Sequence, residues 1–127
     1  MEDQLALRIQ LFREGGQVKP GVADFVAAEL AALESEGHVV TEATASMLTS
    51  HLMMALTRLL NGEPIEQFHT DDQVAAELAG HPQAVERARD VAARAERELG
   101  TALPASEINF LAMHLAVLPR RPPPAAS

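Results

Sequence analysis

The chain has 127 residues, no cysteine and a formal net charge of −8. This length favours one domain that can bury a core without covalent staples. The lack of cysteine excludes disulfides, thiol catalysis and thiolate-bound zinc. No Lys or Arg lies between Lys19 and Arg58, while Asp24, Glu29, Glu34, Glu36 and Glu42 do, and aromatics are only 3%. Such a chain lacks the basic face that phosphate backbones need and the rings that bases stack on. Its acidic surface serves solubility or a basic partner protein.

Charged and amide residues within Met1–Phe12 break any secretory apolar stretch. No apolar run approaches the ~20 residues of a membrane span. A cytoplasmic protein is expected, with no membrane or direct nucleic-acid role.

Ala, Leu, Glu and Arg are abundant, and no alternating strand pattern is found. In chain order, Met1–Glu14 forms a helix with Leu5, Ile9 and Phe12 on one side, stopped by Gly15-Gly16. Pro20 suits a first helical turn, and the stripe Val22, Phe25, Val26, Glu29, Leu30, Leu33 runs to near Gly37. The next helix starts at Thr41, with Thr44 as the alternative cap, and ends at Asn61–Pro64. A short helix follows from about Asp71 to Leu78, ended by Gly80. Pro82 opens another, with Val85, Ala88, Ala92, Ala95 and Leu99 as a seam of small residues and Gly100 as its stop. Pro104 and Ser106 introduce the last helix, and Pro119–Ser127 is a proline-rich tail expected to be disordered. The fold class expected is all-α, a compact bundle of five or six helices.

Two helices are unusual. In residues 41–60 the core stripe is Leu48, Leu52, Ala55, Leu56 and Leu59, while Thr44, Met47, His51, Met54 and Arg58 form a second, mixed stripe. In the last helix Ile108, Leu111, Leu115 and Leu118 form the core stripe, and Glu107, Phe110, His114 and Val117 the mixed one. His51 and Arg58 are two turns apart, as are Glu107 and His114. A helix apolar on two sides is buried on two sides, by a thick core or by a second copy of the chain. Each histidine is either a hydrogen-bonded structural residue or a functional one. His38, His69 and His81 lie near loop or helix-end signals and are expected to be solvated.

The segment "SHLMMALTRLLNGEPIE", Ser50–Glu66, resembles the first histidine block of PTS-regulation domains (PRDs), the helical modules of bacterial antiterminators and activators governed by the sugar phosphotransferase system. The segment "ERELGTALPASEINFLAMHLAV", Glu96–Val117, resembles the second. The resemblance spans roughly Val18–Leu118, leaving 1–17 as a lead-in helix and 119–127 as tail. It implies a PRD-type bundle forming a homodimer, with His51 and His114 as phosphate acceptors and the phosphocarrier HPr or an enzyme II component as donor. Many PRDs have Asp or Asn before the first histidine; here Ser50 stands there. One PRD without an output domain resembles the stand-alone PRD proteins, and an output partner is implied.

A neutral imidazole suits phosphoryl transfer near pH 7. Arg58, on the same stripe as His51, is the cation expected to hold the new phosphate. Glu107 is expected to orient the imidazole or to bind Arg58 in the unmodified state. No cofactor, metal or enzymatic activity is expected. The alternatives are a PRD kept only for dimerisation, with unmodified histidines, and a small metal-dependent hydrolase built on "FHTDD", Phe68–Asp72.

Overall fold

The structure, a computed structural model, describes residues 1–63 and 72–121, with the side chains of residues 72, 73 and 75 outside that description. Six helices are present among them: α1 (Asp3–Glu14), α2 (Pro20–Ser35), α3 (Glu42–Leu60), α4 (Asp72–Ala79), α5 (Pro82–Leu99) and α6 (Ala105–Val117). The fold is the all-α bundle expected. None of these helices is long and apolar enough to cross a membrane.

Local chemistry sets the boundaries. Pro20 and Pro82 sit in the first turns of α2 and α5, where a missing N–H costs no helix bond. At the start of α3 both candidate caps act together: the Thr44 N–H donates to Thr41 Oγ1 at 3.3 Å, and the Thr41 N–H donates to Thr44 Oγ1 at 2.9 Å. This reciprocal box satisfies two backbone donors at once. Gly100 closes α5 in the left-handed region (φ 74°), open to glycine without steric cost.

One core joins all six helices. Leu5 and Ile9 of α1 are buried with Val22, Val26 and Leu30 of α2, Leu52, Met53 and Leu56 of α3, Leu78 of α4, Val91 of α5 and Leu111 and Leu115 of α6. The α5 seam works through its smallest members, Ala88 and Ala95, both fully buried, which let α6 lie close alongside. Glu29 of α2 is buried beneath α5, where the Arg94 guanidinium grips its carboxylate through two nitrogens. Pairing of this kind is what permits a carboxylate inside.

Two expectations are corrected. Of the expected tail 119–127, residues 119–121 are ordered against the α2–α3 connection: the Val39 N–H donates to the Pro119 carbonyl and the Arg121 N–H to the Gly37 carbonyl, each at 2.7 Å. This forms a bridge between His38 and Arg120. Residues 122–127 lie outside the described residues. The same crossing buries His38, expected to be solvated, to 7% exposure. Burial first, then the Arg120 charge, holds its imidazole below the ordinary value. His81 is exposed at the entry to α5, and His69 lies outside the described residues.

Candidate functional site

Helix α3 places His51 next to Leu52 and one turn before Ala55, both in the core, on the side the mixed stripe marked out. That stripe faces solvent: Met47 is 67% exposed, and Met54 and Arg58 are exposed too. On α6 the mixed stripe is graded. Glu107 is buried, Phe110 and His114 are half-buried, and Val117 is 76% exposed.

The two stripes meet. His51 Nε2 lies 2.6 Å from Glu107 Oε2, a short charge-assisted hydrogen bond between α3 and α6. The imidazole of His51 stacks on Phe110 with ring centroids 3.9 Å apart and planes 25° apart. Phe110 also meets His114, with centroids 4.4 Å apart and planes tilted by 43°. Both candidate acceptors therefore share one phenyl ring. Spacing along one helix related His51 to Arg58 and Glu107 to His114, whereas the structure joins His51 to Glu107 across helices.

Of the two groups expected near Glu107, the His51 imidazole and Arg58, it is the imidazole that lies against its carboxylate. Its other oxygen, Oε1, is buried with no hydrogen-bond partner among the described residues. With Glu107 accepting from Nε2–H, the neutral His51 ring carries its lone pair on Nδ1. His114 is held below the ordinary imidazole value, first by burial and then by the nearby His51. It is accordingly neutral near pH 7.

Arg58 stands apart from this cluster. It is exposed and makes no ion pair with any described residue. A different arginine reaches the neighbourhood of His51. Arg8 of α1 is bound to the Glu42 carboxylate, and its Nη1 donates to Ser50 Oγ at 3.1 Å. Arg8 was not legible as a site residue, because it precedes both histidine blocks and no spacing rule links residue 8 to residue 50. Phe110 was visible on the stripe, but its place between two histidines needs the packing of α3 against α6.

The "FHTDD" group lies outside the described residues, apart from the backbone of Asp72 at the start of α4. Among the described residues no group of three or more His, Asp or Glu is placed to hold a metal.

The histidine held by Glu107 and the second histidine across Phe110 come from the two blocks quoted above, Ser50–Glu66 and Glu96–Val117. The family model of the PRD domain matches residues 34–118. The chain belongs to the PRD family. Neither the curated proteins nor the solved structures gave a match. Membership makes the chain a regulatory domain of the phosphotransferase-system type. The PRD match takes in α3 to α6 and both histidines, while α1 and Arg8 lie before it.

Proposed function

We propose that this PRD is a phosphoacceptor whose modification on His51 or His114 regulates a partner protein, with HPr or an enzyme II component as the cytoplasmic donor. It acts as a regulator rather than as an enzyme. The observation that carries this reading is the His51–Phe110–His114 stack with Glu107 at His51 Nε2, on a half-exposed face.

The chemistry follows from the geometry. As the His51 lone pair attacks a donor phosphorus, the bond from phosphorus to the donor breaks and the ring gains positive charge. The Glu107 carboxylate faces that charge and accepts the Nε2 proton. His114, kept neutral by its surroundings, needs no deprotonation before it attacks. Once formed, the phosphate brings close to two negative charges to a face where Met47, Met54, Met113 and Val117 are exposed. An apolar face of this kind suits a second copy of the chain, and a dianion within it shifts the balance between monomer and dimer.

A second reading has its own support. Glu107 already engages His51, and Arg58 stands exposed rather than poised over the ring. A dimerisation module with structural histidines would look similar.

Incubation of the protein with phosphoenolpyruvate, enzyme I and HPr separates the two. The expected result is an acid-labile mass gain of one phosphate, lost in His51→Ala or in His114→Ala. No gain with donors active on another PRD, together with His51→Asp and His114→Asp variants of unchanged oligomeric state, would establish the second reading.

A further inference from the structure

The chain has a second place where polar groups converge, and none of the His51–Phe110–His114 stack lines it. A cavity of about 740 Å³ opens between the first turn of α5, the end of α6 and the crossing segment that carries Arg120. Its floor is Leu115 and Leu118, and its polar wall includes His38, Arg87 and Arg120.

Among the described residues, two polar side-chain atoms lining that wall lack hydrogen-bond partners. His38 is 7% exposed and its ring N–H donates to the Leu118 carbonyl, which leaves Nδ1 as a buried acceptor without a donor. Arg87 holds the Glu36 carboxylate through Nε at 2.8 Å and Nη2 at 2.9 Å, which leaves its Nη1 buried and without a hydrogen bond. The nearest carboxylate oxygen to that Nη1, on Glu29, is 3.7 Å away. Buried groups of this kind are ordinarily satisfied, and leaving them unsatisfied is costly.

The rim supplies further positive potential. Arg120 makes no ion pair with a described residue, and its Nη1 reaches only the Glu36 backbone carbonyl, at 3.4 Å. Helix α5 presents its N-terminus here without a side-chain cap. The Ala84 and Val85 N–H groups turn back to the His81 carbonyl, whereas the Gln83 N–H finds no backbone acceptor among the described residues. The one carboxylate in the wall, Glu36, is already held by Arg87. An Arg120 without an ion pair among the described residues, an uncapped helix start and one buried imidazole acceptor thus line one cavity in a chain of net charge −8.

We propose that this cavity binds a small organic oxyanion that also carries a hydroxyl, a hydroxycarboxylate or a phosphate monoester, with its charge on Arg120 and the Gln83 N–H and its hydroxyl donating to His38 Nδ1. A water molecule can satisfy the orphan nitrogen, but it offers no counter-charge to Arg120. An oxyanion with a hydroxyl answers both needs. The volume leaves room for an organic body over Leu115 and Leu118.

The test is a titration of the ¹⁵N-labelled full chain with glycerol 3-phosphate, inorganic phosphate and citrate, each against sodium chloride of equal ionic strength. Saturable amide shifts centred on Gln83, Ala84 and His38 are expected, with a Kd on the order of 1 mM or tighter. Arg120→Gln should weaken binding about tenfold, Arg120→Lys less, and Arg97→Gln on the exposed face of α5 not at all. Saturation by glycerol 3-phosphate alone identifies a phosphate monoester, and by citrate alone a hydroxycarboxylate. Shifts that never saturate, that map elsewhere, or that persist unchanged in a folded Arg120→Gln chain overturn the proposal.

Discussion

Glu107 is the side chain on which the histidine site turns. It is 3% exposed, lies in the first turn of α6, and has one oxygen on His51 Nε2 and the other without a partner among the described residues. Replacing it by Gln keeps the shape and removes the charge that faces the developing imidazolium. The initial rate of phosphate uptake at His51 should fall about tenfold or more in Glu107→Gln, measured as acid-labile phosphate at saturating donor. Phe110 imposes a second constraint. The two histidine rings are separated by no more than the two centroid distances placed end to end, roughly 8 Å, at which two dianions repel by about 2 kcal/mol even with full water screening. Mass spectrometry should therefore find chains with one phosphate and few with two. The pH dependence of stability also belongs at this scale. Both His38 and His114 bind a proton less readily folded than unfolded. Between the ordinary imidazole value of about 6.5 and their lower folded values, the unfolded chain takes up more protons. Stability is thus full above pH ~6.5 and declines as pH falls through the folded values. The urea midpoint should drop between about pH 7.5 and 5.5, and less so in His114→Gln.

Among the helices, what the sequence revealed depended on range. Capping chemistry is local, so Thr41 and Thr44 could both be read as caps of α3, and the structure uses them as one reciprocal box. Thr41→Ala should cost about 1 kcal/mol in urea unfolding, with the helix otherwise intact. The small-residue seam of α5 and the stops at Gly37, Asn61 and Gly100 are local in the same sense, and the helices end within a residue or two of them. Periodicity also separated the core stripe of α3 from its mixed stripe, and Leu48, Leu52, Ala55 and Leu56 are indeed buried. It could not show which helix faces which. The bond from His51 to Glu107 spans 56 positions, and that from Arg94 to Glu29 spans 65. Charge at such separations becomes a pair only through packing. His38 illustrates the cost of reading locally: turn signals around Gly37 mark an exposed corner, and residues 119–121 cross over and cover it.

Taken whole, the molecule is more than the family's matched segment. Helix α1 precedes residue 34, yet Leu5 is completely buried in the common core and Arg8 ties α1 to the start of α3. Glu2 adds a bond, its carboxylate accepting from the Glu42 N–H at 2.9 Å. Leu5→Ala should therefore cost about 2–5 kcal/mol, a large part of the stability of a domain this size, in one cooperative transition. An early, separate melting of α1 would contradict that. Helix α6 is packed along its length on α5 and is tied at its two ends by different means: Glu107 bonds His51 near its start, and Pro119, just past its end, accepts from the Val39 N–H. Thirteen residues of helix make a stiff rod about 20 Å long. On the proposed function, a phosphate that displaces Glu107 from His51 loosens one tie of a rod that stays bedded on α5. The disturbance then passes to α5, whose first turn lines the cavity of Arg87 and Arg120.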